Sequence, residues 1–223
     1  MTHLLVVCED VVGGARAGLG IRCRELAGAL AATARVTLLA PPPFDDPLPG
    51  VALAPLEADS LAAHAGHADV VLLGGETLWR HPFLAELDAA LVVDLLYATH
   101  LFENLAQGAH EPALAHGRRV VAHLLRCGDL FLCGNERQRH LWLGMLAAFG
   151  RLNAATLAGD PSAARLLAVV PFGLPAEPPR WRRPALRGVL PGLGPQDVIA
   201  LWAGGLWDWL DPLTPIRAVA ALV

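Results

Sequence analysis

A parallel α/β sheet covered by helices on both faces is the fold class predicted, and three observations predict it. Short apolar runs alternate along the chain with longer segments of helical periodicity. The runs are apolar at successive positions, as strands buried on both faces require. Hydrophobic residues make up 54% of the 223, enough for a sizeable core and too many for disorder.

The elements follow in order. Residues 4–8 read as the first strand, with neither the basic lead nor the small-residue cleavage site of a signal peptide. A loop with glycines at 13, 14, 18 and 20 then opens a helix over 20–32, whose apolar residues recur at 21, 26, 27, 30 and 31. Residues 35–39, 51–54, 70–73, 91–94, 130–133 and 169–172 read as further strands, and 111–126 and 136–149 as further covering helices, the last with Asn135 as its N-cap. Residues 175–195 collect six prolines, four arginines and three glycines without periodicity, the composition of a linker. The predicted organisation is a domain over 1–174, a linker over 175–196, and the start of a second domain over 197–223. Residues 198–202 there read as a strand, Gly204 and Gly205 as a turn, and Pro212 as the start of a helix. That helical pattern is still apolar at Val223, so the chain is expected to stop inside the second domain.

Charge and composition exclude several function classes. With 17 basic and 21 acidic residues, the net charge of −4 supplies no electrostatic footprint for nucleic acid or an anionic membrane, while peripheral membrane contact stays open. No run reaches the roughly 18 apolar residues of a membrane span. Cys8, Cys23, Cys127 and Cys133 form no Cys-x-x-Cys pair and read as buried free thiols of a reducing cytoplasm. Ser60 and Ser162 sit in no nucleophile elbow, which argues against a serine hydrolase. His64, His67, His116 and His123 lack the pairing of a zinc site, and no metal is expected. The glycine loop departs from a dinucleotide fingerprint, since Cys23 stands where the third glycine belongs and the second strand ends without an acid. NAD and FAD are therefore disfavoured, and no cofactor is expected.

Ligands of parallel sheets sit at the carboxyl ends of the strands, and the candidate site residues lie there. The backbone around Gly18 and Gly20 could cradle phosphate or a sugar ring, or the glycines could serve only close strand–helix packing. Asp94, Tyr97, His100 and Glu103 leave the fifth apolar strand; His100 is a proton-relay candidate and Glu103 a partner for hydroxyls or a capping acid. Arg137 and Arg139 lie in the first turn of a helix, where the dipole disfavours a cation, so either one of them meets an anion or acid partner or they are plain solvated arginines. Gly204 and Gly205 let a diphosphate approach the backbone.

Five blocks in order carry a family resemblance: Gly18-Leu-Gly-Ile-Arg22; Val93-Asp-Leu-Leu-Tyr97 with Glu103-Asn-Leu105; Glu136-Arg-Gln-Arg139 with Trp142-Leu-Gly-Met145 and Gly150-Arg151; Val170-Pro-Phe-Gly-Leu-Pro175; and Trp202-Ala-Gly-Gly-Leu-Trp-Asp-Trp-Leu-Asp-Pro212. Together they resemble the retaining glycosyltransferases of the GT-B fold, group 1, which use nucleotide-diphosphate sugars. The resemblance implies two Rossmann-like domains facing across a cleft, the first holding a glycan, lipid or small-molecule acceptor and the second the donor. It places His100 and Glu103 at the reaction, and Gly18, Gly20, Arg22, Asp94, Arg137, Gly204 and Gly205 against substrate or donor. The family's glutamate pair, which contacts donor sugar and ribose, belongs further into the second domain than this chain reaches. The chain by itself is therefore expected to be inactive. The alternative is a degenerate relative that holds a ligand or partner without turnover.

Overall fold

The computed structural model of the chain describes residues 1–14, 16–96, 111–174, 177–178, 180–206 and 210–222. The chain forms two compact units, Met1–Gly173 and Leu174–Val223. The first runs β1 (His3–Val7), α1 (Gly18–Leu30), β2 (Arg35–Ala40), β3 (Val51–Pro55), α2 (Ala58–Ala65), β4 (Val70–Gly74), α3 (Thr77–Arg80), β5 (Ala90–Asp94), α4 (Glu111–Cys127), β6 (Leu130–Cys133), α5 (Glu136–Ala148), α6 (Ala154–Leu157) and β7 (Leu167–Val169). All the strands are parallel, in the order β3-β2-β1-β4-β5-β6-β7. This is a Rossmann-like α/β sheet whose order reverses between β1 and β4, and that reversal opens a crevice at the carboxyl ends of those two strands.

Alternation along β1 divides the core. Leu5 and Val7 join Leu73, Val93 and Phe131 beneath Leu61 of α2, Leu78 of α3, Leu124 of α4 and Trp142 of α5. Leu4 and Val6 join Leu38, Leu72 and Leu132 on the other side, with Cys23 and Ala27 of α1. The α4 helix buries Gly117, Val120, Val121, Leu124 and Leu125, the i, i+3, i+4 stripe of a helix laid on a sheet. His3 is the one buried histidine among the described residues. It is satisfied structurally, through His67 O at 3.0 Å and Thr37 Oγ1 at 3.0 Å.

Three expectations need correction. The last strand is Leu167–Val169, not 169–172: the Val170 N–H still bonds Cys133 O at 2.7 Å, but Pro171 has no donor to continue the ladder. Helix α1 starts two residues earlier than its apolar pattern suggested, at Gly18. In the second unit, residues 198–202 are irregular and Val198 is 97% exposed, because the described residues of that unit include no strand for them to pair with. The helix predicted there does form, as α7 (Leu213–Ala220), with Pro212 as its N-cap, and Asp211 just before it accepts from the Thr214 N–H at 3.0 Å and the Thr214 hydroxyl at 2.5 Å. No helix among the described residues is long and apolar enough to cross a membrane.

Candidate functional site at the carboxyl edge of the sheet

The crevice between β1 and β4 is lined by Glu9, Leu19, Cys23, Gly74, Gly75 and Asp94, and encloses about 20 Å³, room for one water. Its walls approach too closely for side chains. A Cβ on Gly75, whose φ is +59°, would lie 2.6 Å from Glu9 Oε2, and one on Gly74 would lie 2.9 Å from Asp94 O. The Glu9 carboxylate accepts the Glu76 N–H at 3.1 Å. Glu76 in turn accepts from Arg80 at 2.8 Å and pairs with His116 Nε2 at 2.9 Å. Arg80 first, and His116 second, hold the Glu76 carboxyl below the usual glutamate range. A carboxylate, a carboxylate-oriented imidazole and a guanidinium thus meet at the edge where ligands of such sheets bind. None of Glu9, Glu76, Arg80 or His116 was a candidate in the sequence. The available signal was the Gly74-Gly75-Glu76 break directly after an apolar run.

Two of the residues that the sequence marks as candidates meet each other. Arg22 Nε donates to Asp94 Oδ2 at 2.5 Å and Arg22 Nη2 to Asp94 Oδ1 at 3.2 Å, and both side chains are buried. Arg22 Nη1 donates to Val170 O at 2.9 Å, and the guanidinium lies 5.6 Å from the centroid of the Phe172 ring. Asp94 Oδ1 also accepts the Leu96 N–H at 3.1 Å. One guanidinium therefore ties α1, β5 and the segment after β7 together. Neither group points an unpaired charge at solvent, so a ligand would feel this pair through the backbone it positions.

The glycine loop is partly occupied by the protein itself. Gly14 N–H donates to Asp45 Oδ1 at 2.8 Å, and a Cβ on Gly13 would lie 2.2 Å from that oxygen. Arg16 pairs with Asp46 at 2.7 Å. A Cβ on Gly20 would lie 2.0 Å from Val11 O, so this glycine serves close packing of α1 on the loop. Gly18 is exposed at the first turn of α1, whose N-cap, Ala17, offers no side-chain bond to the helix donors.

No protein-family model matches the chain, and no curated protein matches its sequence.

Of the remaining candidates, His100 and Glu103, with Tyr97, lie outside the described residues. Asn135 caps α5 by accepting the Gln138 N–H at 2.9 Å, and Arg137 is exposed in the turn that follows. Arg139 donates to the Ser162 carbonyl. Gly204 and Gly205 belong to the second unit, where Gly205 O accepts Trp202 Nε1 at 3.0 Å. Among the described residues, no group of three or more His, Cys, Asp or Glu could hold a metal ion.

All four cysteines are free. The Cys23 thiol is pushed up by its hydrogen bond with Cys8 and by burial, and burial also raises Cys133. Cys8 is buried as well, whereas Cys127 is partly exposed. Brief iodoacetamide treatment of the native chain should therefore label Cys127 first, and all four cysteines only after unfolding. Peptide mass spectrometry reads this, and early labelling of Cys23 would show the crevice wall open.

Proposed function

We propose that the chain is the acceptor-side part of a glycosyltransferase that uses a nucleotide-diphosphate sugar. The observation that carries this reading is the Arg22 node. The Gly-Leu-Gly-Ile-Arg, Val-Asp-Leu-Leu-Tyr and Val-Pro-Phe-Gly blocks, on which the family resemblance rests, lie far apart in sequence and are joined by a single guanidinium at the carboxyl edge of the sheet. Their meeting on one side chain at the edge where ligands of such sheets bind supports the reading.

Retaining transfer needs a developing oxocarbenium ion and a departing diphosphate to be stabilised, which is largely positioning and electrostatics. On this proposal Glu9 accepts from an acceptor hydroxyl at the crevice, and Glu76 fixes the orientation of His116 beside it. The exposed first turn of α1 at Gly18 faces phosphate or sugar oxygen. His100 and Glu103 keep the catalytic roles that the resemblance assigns them.

The test is a calorimetric titration of the chain with a panel of glycosides and nucleotide-diphosphate sugars. A glycoside should bind, and Glu9→Gln should weaken it about tenfold, the worth of one charge-assisted hydrogen bond. Failure of every glycoside to bind, or binding unchanged in Glu9→Gln, overturns the proposal.

A further inference from the structure

Away from the crevice, an open groove of about 420 Å³ runs between Trp79 of α3 and the outer face of α4. Arg118, Arg119, His123 and Arg126 line it, a concentration of positive charge on a chain whose net charge is −4. Among the described residues, local acids offset it only at Arg118. Glu111 pairs with Arg118, and Glu76 is engaged by Arg80 and His116. Arg119 and Arg126 have no carboxylate partner among the described residues, and Arg126 instead lies 4.8 Å from the centroid of the Phe149 ring. Residues 119 and 126 are seven apart, so they project from one side of the helix about 10 Å apart along its axis, within reach of one ligand through long side chains. Trp79 is 41% exposed and is flanked edge-on by the rings of His116 and His123, which leaves a rigid aromatic wall beside the cations.

We propose that this groove is a binding site for a phosphate-bearing ligand, gripped by the guanidinium groups of Arg119 and Arg126 against Trp79. Guanidinium is the side chain whose planar fork matches phosphate oxygens, and two such groups with no acid partner among the described residues gain most from an incoming dianion. The chemistry is that of the phosphate group, on a soluble phosphorylated molecule or on a lipid headgroup. The groove shares no lining residue with the crevice, and although His116 both flanks Trp79 and pairs with Glu76, the double variant below leaves His116 in place, so its outcome does not depend on the proposed sugar transfer.

The experiment titrates the full chain with inorganic pyrophosphate at low salt, and separately floats it with vesicles of phosphatidylglycerol in phosphatidylcholine, against phosphatidylcholine alone. The double variant Arg119→Gln/Arg126→Gln is compared with Arg35→Gln, an exposed arginine on β2, and thermal unfolding shows that both variants remain folded. At least one probe should bind, with affinity lost at higher salt and lowered tenfold or more in the double variant only. Pyrophosphate binding that is lost in the double variant identifies a soluble phosphate ligand. Vesicle binding that is lost alone identifies a headgroup. Absence of binding in both arms, or binding that the double variant retains, overturns the proposal.

Discussion

Exchanging Arg22 for methionine should destabilise the first unit by about 3–5 kcal/mol, the cost of removing one partner from a buried ion pair. The magnitude follows from what would remain. The Asp94 side chain is 9% exposed and loses both of its guanidinium bonds, keeping among the described residues only the Leu96 N–H as a donor, while Val170 O loses its partner too. Asp94→Leu should be costly for the converse reason, since it strands a guanidinium that is 2% exposed. The double variant Arg22→Met/Asp94→Leu should cost much less than the sum, because neither charge is left alone and the hydrophobic replacements fill similar volume. Urea unfolding of the four proteins closes the cycle. A loss below about 1 kcal/mol for Arg22→Met, the range of an exposed pair, would mean that the node is not the clamp described.

The sheet was legible in the sequence because parallel strands buried on both faces leave near-continuous apolar runs, and residues 4–7, 36–40, 71–73 and 131–133 are buried throughout. Helices α4 and α5 were legible from periodicity and from Asn135, a cap recognisable by its chemistry. What escaped depended on partners distant in sequence. The seventh strand was misplaced because apolar character continues through Val170 and Phe172, whereas ladder pairing stops where Pro171 has nothing to donate. Residues 198–202 have the composition of a strand, but a strand forms only against another strand. At the candidate site, Arg22 and Asp94 stood out as individual residues, and 72 positions of sequence concealed that they bond each other. The Glu9, Glu76, Arg80 and His116 cluster was hidden for two reasons. Helix α3 is only four residues long and shows no periodicity, and Glu76 reaches partners 67 residues before it and 40 after it.

Gly20→Ala and Gly18→Ala should separate packing from ligand contact in the glycine loop, although the two sites are a single residue apart. In a helix interior, alanine in place of glycine is favoured by roughly 1 kcal/mol, and Gly18, exposed and first in α1, gains only part of that. At Gly20 the new Cβ would lie 2.0 Å from the carbonyl oxygen of Val11 and 3.0 Å from its carbon, which are backbone atoms with no rotamer to swing away. Either α1 moves off the loop or the loop leaves the end of β1, and overpacking of this kind costs roughly 1–3 kcal/mol even in cores that can adjust. Urea unfolding should therefore show Gly20→Ala clearly destabilised and Gly18→Ala unchanged or slightly stabilised. Ligand titration completes the separation. If the first turn of α1 meets phosphate or sugar oxygen, Gly18→Ala should weaken binding while leaving stability intact, since a methyl group would then stand between the helix donors and the ligand. Unchanged affinity in a fully stable Gly18→Ala chain would confine both glycines to packing and move the ligand toward Glu9 and Gly75.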